Sequence, residues 1–201
     1  MAILYTVFMK RKAVSKIISD CGVFVKRQFE GLSLQKAFGY LGIEVAFILL
    51  FLAADLLTKR YVYGGMVASG KDIIIIKEVL RLTPVQNTGA SFGIFQGHTD
   101  ILSVVSVVTL FFVAVFMIFS LKNRNGWLRV GLVILIAGGI GNLIDRFTLG
   151  YVRDFIYFEL INFAVFNVAD SGLTVGVVLI LIYVIFYYRP EEKKPSETRI
   201  K

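Results

Sequence analysis

The sequence predicts an α-helical integral membrane protein with four transmembrane helices and a small extracytoplasmic β element. Hydrophobic residues make up 57% of the 201-residue chain and the mean hydropathy is +0.75, whereas soluble domains contain about 45 to 50% apolar residues. Four apolar stretches approach or reach the ~20 residues that cross a bilayer. Basic residues are concentrated in alternate segments between those stretches.

The basic N-terminal extension, residues 1–36, is the least informative part of the chain. Apolar residues recur at helical spacing between Val14 and Val25, with lysine and arginine around them. This pattern is typical of a basic amphipathic helix on the inner leaflet; a dispensable extension is the alternative. The single cysteine, Cys21, excludes an intramolecular disulfide and a cysteine metal cluster.

The predicted membrane domain covers residues 37–188, and a charged cytoplasmic tail, residues 189–201, follows it. The second apolar stretch has no charged residue, and the fourth has an aspartate near its start. The predicted spans are residues 38–57, 101–121, 128–145 and 164–188.

The two long segments on the other side of the membrane differ in character. Residues 60–99 contain "KDIIIIKEVLRLTPVQNTGASFGIF", in which β-branched residues, proline and glycine favour short strands and turns. We expect a small β element here, lying on the membrane surface. Residues 146–163 mix aromatic and charged side chains, which indicates an interfacial connector.

The distribution of positive charge predicts the orientation of the chain. Fifteen lysine and arginine residues lie in the segments on the side of the termini and seven in the other segments. Both termini are therefore expected to be cytoplasmic. The net charge of +8 then reflects topology and attraction to anionic membrane lipids, and it predicts no nucleic-acid partner.

Polar residues recur near the outer ends of the third and fourth spans. Asp170 lies in the first turns of the fourth span, three residues after Asn167, so that the two are expected to share a helix face. The third span closes with "GNLIDR", which contains Asn142, Asp145 and Arg146. A central intramembrane aspartate costs on the order of 3 kcal/mol on insertion scales, so its position needs a reason.

Two further polar residues are predicted on the same side: Asp154 in "GYVRDF" and Asn87 in "QNTGASFG". Two carboxyl groups brought together in a poorly solvated site cannot both ionise readily and hold one proton near neutral pH. Such a pair can hydrolyse an amide with water, without a metal or a cofactor. A serine–histidine pair or a zinc site is disfavoured, because the only histidine, His98, has no partner at a recognisable spacing.

The residues alone leave other interpretations open. Polar side chains at helix ends often only cap the helix, extend to the membrane surface or form ion pairs. Asp145 and Arg146 are adjacent and could form such an ion pair. A proton-coupled membrane carrier also uses intramembrane acids, and Glu44 is the only such residue near the middle of a span.

A resemblance to a known family narrows the choice. "QNTGASFGIF", "GGIGNLIDRFTLGYVRDF" and "FNVADSGLTVG", in this order, resemble the signature blocks of bacterial lipoprotein signal peptidase, or signal peptidase II. "ADLLTK" resembles the block that closes that family's first helix. The similarity covers about residues 38–188.

The resemblance implies an aspartic endopeptidase of the bacterial cytoplasmic membrane with its active site near the outer face. Its substrates would be diacylglyceryl-modified prolipoproteins, cut before the lipidated cysteine. Asp154 and Asp170 match the catalytic pair. The matching supporting residues are Asn87, Asn142, Asp145, Arg146 and Asn167, with Asp55 and Lys59 more peripheral.

The main departure from the family pattern is Arg153, at a position that is often apolar. A cation beside Asp154 is expected to lower the pKa of that carboxyl, unless the arginine side chain points to solvent. A non-catalytic protein that binds lipoprotein signal peptides is a further alternative.

Overall fold

The computed structural model describes residues 19, 23, 29–89 and 95–189. The amphipathic helix predicted around residues 14–25 lies almost entirely outside the described residues, and of the predicted charged tail, residues 189–201, only Arg189 is described.

Among the described residues, four helices are long and apolar enough to cross a membrane, which confirms the predicted number. The first is longer than predicted, because the helix continues through a π-helical turn, Lys59–Tyr63, to Ser69. This first span consists of α1 (Leu34–Thr58), the π-helical turn and α2 (Gly64–Ser69). The other three spans are α3 (Thr99–Phe119), α4 (Gly126–Leu149) and α5 (Val168–Phe186).

Side chains and glycines define the helix ends. Ser33, Asn125 and Asn167 cap the starts of α1, α4 and α5, each accepting a backbone N–H from the first turn. Gly70 and Gly150 end α2 and α4 with φ of 63° and 78°, a left-handed conformation that glycine adopts without strain.

Helix α4 lies at the centre of the bundle. In the most apolar stretch of α4, 61% is buried within the protein, whereas the corresponding stretches of α3 and α5 are 11% and 17% buried. The outer helices therefore present most of their apolar surface to lipid. At the contact of α4 with α5, a Cβ added to Gly176 would lie 2.8 Å from the carbonyl oxygen of Gly131, so only glycine allows this approach.

The small sheet consists of strands β1 (Ile73–Ile76), β2 (Leu80–Asn87) and β3 (Val152–Phe158), antiparallel in that order. Two details differ from the sequence prediction. Residues 60–69 are helical, so the strands begin only at Ile73. The predicted connector, residues 146–163, contains a strand, β3, which the sequence analysis did not predict. This strand pairs with β2, with Asp154 opposite Val85.

The sheet is attached to one end of the bundle. Phe155 of β3 packs with Tyr63 and Met66 near the end of the first span. Phe166, just before α5, exchanges backbone hydrogen bonds of 2.8 and 3.0 Å with Ile156. These contacts hold β3 across the start of α5.

The opposite end of the bundle contains a buried ion pair. Arg129 Nε and Nη2 donate to the two carboxylate oxygens of Glu44 at 2.7 and 2.5 Å, and both side chains are about 5% exposed. Arg129 Nη1 also donates to the Met117 carbonyl and to Ser120 at 2.9 Å. This interaction joins α1, α3 and α4.

Gly176→Ala is expected to destabilise the protein, because the new methyl group meets the Gly131 carbonyl closer than normal contacts allow. The helices must separate, at a cost of about 1 to 3 kcal/mol. Thermal unfolding in detergent would report a lower midpoint.

The matched control is Gly39→Ala, since a Cβ at Gly39 of α1 meets nothing within 4 Å. Equal midpoints for the two variants would contradict close packing of α4 on α5.

Candidate active site

Asp154 and Asp170 are brought together from different elements. Asp154 lies in β3 with 1% of its surface exposed, and Asp170 is the third residue of α5. The two carboxyl groups are joined through asparagine side chains. Asn167 Nδ2 donates to Asp154 Oδ1 at 2.6 Å and to Asn142 Oδ1 at 3.1 Å, and Asn142 Nδ2 donates to Asp170 Oδ1 at 2.7 Å.

Each of these asparagine side chains is oriented by a hydrogen bond that its Oδ1 accepts from another residue. Asn87 Oδ1 accepts the backbone N–H of Gly89 at 2.9 Å, so its Nδ2 faces Asp154 Oδ2 at 2.8 Å. Asn142 Oδ1 accepts Lys59 Nζ at 3.1 Å. Because the oxygens are occupied by donors, the NH₂ groups point to the carboxylates.

Asn167 and Asp170 form a capping box at the start of α5. The side chain of Asn167 accepts the backbone N–H of Asp170 at 2.9 Å, and Asp170 Oδ2 accepts the backbone N–H of Asn167 at 3.2 Å. The expectation that both residues lie on one face of a helix is wrong, since Asn167 is the extended residue before it. This arrangement fixes the Asp170 carboxylate at a helix N-terminus, where negative charge is favoured.

Lys59 occupies the centre of the polar network, not its periphery. Its ammonium lies 2.8 Å from Asp55 and 3.4 Å from Asp145, and all three side chains are fully buried. Asp55 in turn accepts the backbone N–H of Ala169 at 2.9 Å. The network therefore ties the end of α1 to α4 and to the first turn of α5.

Arg153 faces Asp145 and not Asp154. Its Nη2 lies 2.6 Å from Asp145 Oδ1, and its backbone N–H donates to Asp145 Oδ2 at 3.0 Å. Successive side chains of a strand point to opposite faces, so Arg153 and Asp154 diverge. Arg153 is therefore not among the main influences on the pKa of Asp154, and the hydrogen bonds that Arg153 donates to Asp145 raise the pKa of Arg153.

Arg146 lies beside the carboxyl groups at the end of α4. Its Nη2 donates to the Gly89 carbonyl at 3.3 Å, and its charge acts on Asp170, Asp154 and Asp145. It thus links the segment after β2 to the acidic site.

The pKa of Asp154 is raised from 3.8 to about 7. Burial is the largest cause of this rise, and the charge of Asp170 is the second. Hydrogen bonds from Asn87 and Asn167 act in the opposite direction but are outweighed. A carboxyl group with this pKa gains and loses a proton near neutral pH, as acid–base catalysis requires.

The structure connects all nine candidate residues in one network. Sequence reasoning missed Gly89, whose N–H orients Asn87; the Asn-x-Gly spacing of "NTG" is a signal for such a turn. It also missed Thr99, whose hydroxyl donates to the carbonyls of Thr88 and Gly150 at 3.1 and 3.0 Å. Nothing in the sequence distinguishes Thr99 from other threonines.

Comparison with known families identifies the chain. The family model described as signal peptidase (SPase) II matches residues 47–186. The chain belongs to the signal peptidase II family. It is an integral membrane enzyme, an endopeptidase of the aspartic type.

Curated relatives agree with this assignment. A lipoprotein signal peptidase of Lactobacillus johnsonii is 39% identical over 138 residues, 69% of this chain and 88% of the relative. Those of Streptococcus agalactiae and Streptococcus pyogenes are 39% identical over 140 and 135 residues, covering 67% of this chain and 86% and 88% of the relatives.

Solved structures share the fold. A bacterial membrane enzyme determined by the in meso method at 2.3 Å resolution superposes with a TM-score of 0.62 at 27% identity, covering 77% of this chain and 96% of the other. A second one, at 1.9 Å, gives a TM-score of 0.59 at 28% identity, covering 74% and 96%.

Lys59→Gln is expected to destabilise this signal peptidase II family member strongly, because it leaves buried Asp55 without its ion-pair partner. Removing one partner of a buried pair costs about 3 to 5 kcal/mol. Unfolding in detergent measures the loss. Lys77→Gln is the control, since Lys77 is 85% exposed; equal stability of the two variants would contradict a central role for Lys59.

The Asp154 carboxyl is expected to make stability depend on pH. The pKa of this carboxyl is 3.8 in the unfolded chain and about 7 in the folded protein. Between these two pH values the carboxyl is protonated in the folded protein and ionised in the unfolded chain, so the free energy of unfolding falls as pH rises. The slope is at most about 1.4 kcal/mol per pH unit. Denaturation midpoints at several pH values would show this fall in the unmodified protein and a smaller one in Asp154→Asn; identical profiles would refute the assignment.

Proposed function

We propose that this enzyme is a lipoprotein signal peptidase that removes the signal peptide from diacylglyceryl-modified prolipoproteins, with Asp154 and Asp170 as the catalytic pair. Family membership and the names of the curated relatives support the substrate class. The observation that carries the catalytic assignment is the pair of carboxyl groups joined through Asn167 and Asn142.

The reaction follows from one proton held by the pair. The ionised carboxylate takes a proton from water as the water oxygen bonds to the scissile carbonyl carbon, while the protonated carboxyl donates to the carbonyl oxygen. The carbon–nitrogen bond then breaks, the leaving amine takes a proton from a carboxyl group, and the gem-diol returns one. The products are a signal peptide with a new carboxylate and a free cysteine amine.

The fixed asparagines suit this chemistry. Each carboxylate accepts two hydrogen bonds: Asp154 from Asn87 and Asn167, and Asp170 from Asn142 and the Asn167 backbone. The reacting oxygens are thereby held in place before substrate binds, which lowers the cost of reaching a productive geometry.

The proposed position of the site is the outer face of the bacterial cytoplasmic membrane. The distribution of positive charge predicts that both termini are inside, and the polar network lies at the end of the bundle that carries the sheet. Exposed apolar side chains follow the site residues in sequence: Phe147 after Arg146, and Leu160 and Ile161 after β3. Such a surface suits a substrate whose lipid chains stay in the leaflet.

The structure gives no support to a carrier. Glu44, the acid that suggested one, is bound by both arms of Arg129 and lies at the opposite end from the aspartates. A carboxylate neutralised in this way serves to hold helices together.

Asp154→Asn and Asp170→Asn are each expected to abolish cleavage of a lipidated precursor, lowering the rate about 10²- to 10⁴-fold or more. An amide cannot exchange the proton. A gel-shift assay with purified protein and diacylglyceryl-modified prolipoprotein measures this. Asp72→Asn, at an exposed aspartate that pairs with Arg81, is the matched control and should cut normally.

Three results would overturn parts of the proposal. Substantial activity in either variant would remove that aspartate from the pair. Equal cleavage of the unmodified precursor would remove the lipid requirement. Binding of the lipidated precursor by the folded, unmutated protein without cleavage would leave a signal-peptide-binding protein.

A further inference from the structure

Four charged side chains form a continuous chain of contacts beside the two aspartates of the site. In order they are Arg153, Asp145, Lys59 and Asp55, and we call them the ion-pair chain. Arg153 Nη2 lies 2.6 Å from Asp145 Oδ1, and Lys59 Nζ lies 3.4 Å from Asp145 and 2.8 Å from Asp55. Positive and negative groups alternate, so the four side chains together carry no net charge.

The two ends of the ion-pair chain each hold the backbone immediately before one of the two aspartates. At one end the backbone N–H of Arg153 donates to Asp145 Oδ2 at 3.0 Å, and the next residue is Asp154. At the other end the backbone N–H of Ala169 donates to Asp55 Oδ1 at 2.9 Å, and the next residue is the second aspartate. The chain therefore connects the backbone positions from which both carboxyl groups project.

The side chain of Arg153 fixes the carboxylate that its own backbone N–H contacts. Its Nε lies 3.2 Å from each of the two Asp145 oxygens, in addition to the contact of Nη2. Without this guanidinium, Lys59 would be the single cation of the chain between two fully buried carboxylates. A buried charge that loses its partner is strongly unfavourable, so Asp145 would no longer be held as a fixed acceptor for β3.

Strand β3 has a second attachment on the other side of Asp154. The backbone N–H groups of Phe155 and Ile156 donate to the carbonyl of Phe166 at 3.0 and 2.8 Å, and Phe166 comes just before α5. Asp154 thus lies between one contact to α4 and one to the residues that begin α5. Weakening the contact to α4 leaves β3 free to shift on that side.

The other ion-paired arginine described in the sheet has a different character. Arg81 of β2 lies 3.8 Å from Asp72 and 3.9 Å from Glu159, and these side chains are 36 to 38% exposed. Such exposed pairs contribute little. The contact of Arg153 with Asp145 is shorter, is made through two nitrogens and is only 20% exposed on the arginine side, so it is suited to fixing a position.

We propose that Arg153 is a positioning residue, which through the ion-pair chain sets the distance between Asp154 and Asp170. The inference rests on the proposed function, in which both carboxyl groups act on one water and one scissile carbonyl. A displacement of about 1 Å in such an arrangement can lower the rate about 10²-fold. Arg153 acts on the reaction through the backbone that it holds.

The test is steady-state cleavage of diacylglyceryl-modified prolipoprotein by the purified full-length protein in detergent. Arg153→Gln is expected to lower kcat about tenfold or more and to leave KM within about twofold, because the reacting groups move relative to each other. Arg153→Lys keeps the charge but not the two-pronged contact, so a smaller loss of kcat, about threefold, is expected. Thermal unfolding of each variant sets an assay temperature at which all are folded.

Arg81→Gln is the matched control, since it removes an arginine from the neighbouring strand and should leave kcat and KM unchanged. Unchanged kcat in folded Arg153→Gln, even with a lower unfolding midpoint, would overturn the inference. So would a change confined to KM, or an equal loss in Arg153→Lys or in the control. If Arg153→Gln does not fold, Arg153→Lys decides: a lower kcat at unchanged KM supports the inference, and an unchanged kcat overturns it.

Failure of this inference is distinguishable from failure of the proposed function. Asp154→Asn and Asp170→Asn are measured in the same assay. Normal cleavage by either would refute the catalytic pair, and the positioning role would fall with it. Loss of cleavage in both, with unchanged kcat in Arg153→Gln, would leave the catalytic pair in place and refute only the role of Arg153.

Discussion

The buried ammonium group of Lys59 is the interaction on which the rest of the site depends. It contacts Asp55, Asp145 and Asn142 within 3.4 Å. One cation offsets two carboxylates that burial alone would disfavour, and it also orients the amide that reaches Asp170. The π-helical turn begins at this residue, and such turns recur where a helix must direct a side chain into a functional site.

The strand that carries Asp154 is held by the same network. Arg153 pairs with Asp145, which lies next to Lys59, and the strand's alternation then directs Asp154 to the other face. Arg153 therefore takes part in positioning the strand that carries Asp154. Since the Arg153 charge is matched by Asp145, the raised pKa of Asp154 reflects burial and the charge of Asp170.

Helix α4 connects the two ends of the molecule. It carries Arg129 at one end and Asn142 and Asp145 at the other, with glycines and apolar residues between them. Both polar networks link α4 to α1, so ion pairs fix the bundle near each membrane surface while close packing joins α4 to α5 within the apolar layer. Without a hydrophobic driving force between helices in lipid, packing and polar contacts must supply this cohesion.

The sequence alone determined the number and order of the membrane helices, and most of their ends to within four residues, because apolar length is a local property of the chain. Polar residues near the outer helix ends were evident from the sequence itself, and the resemblance to a family supplied their roles and added Asp55 and Lys59. Only the tertiary structure decided that β3 pairs with β2 some 70 positions earlier, that Asn167 caps α5, that Arg153 faces Asp145 and that Lys59 is central. Each of these findings depends on which polar groups come into contact. Such contacts are set by packing between elements that are distant in sequence.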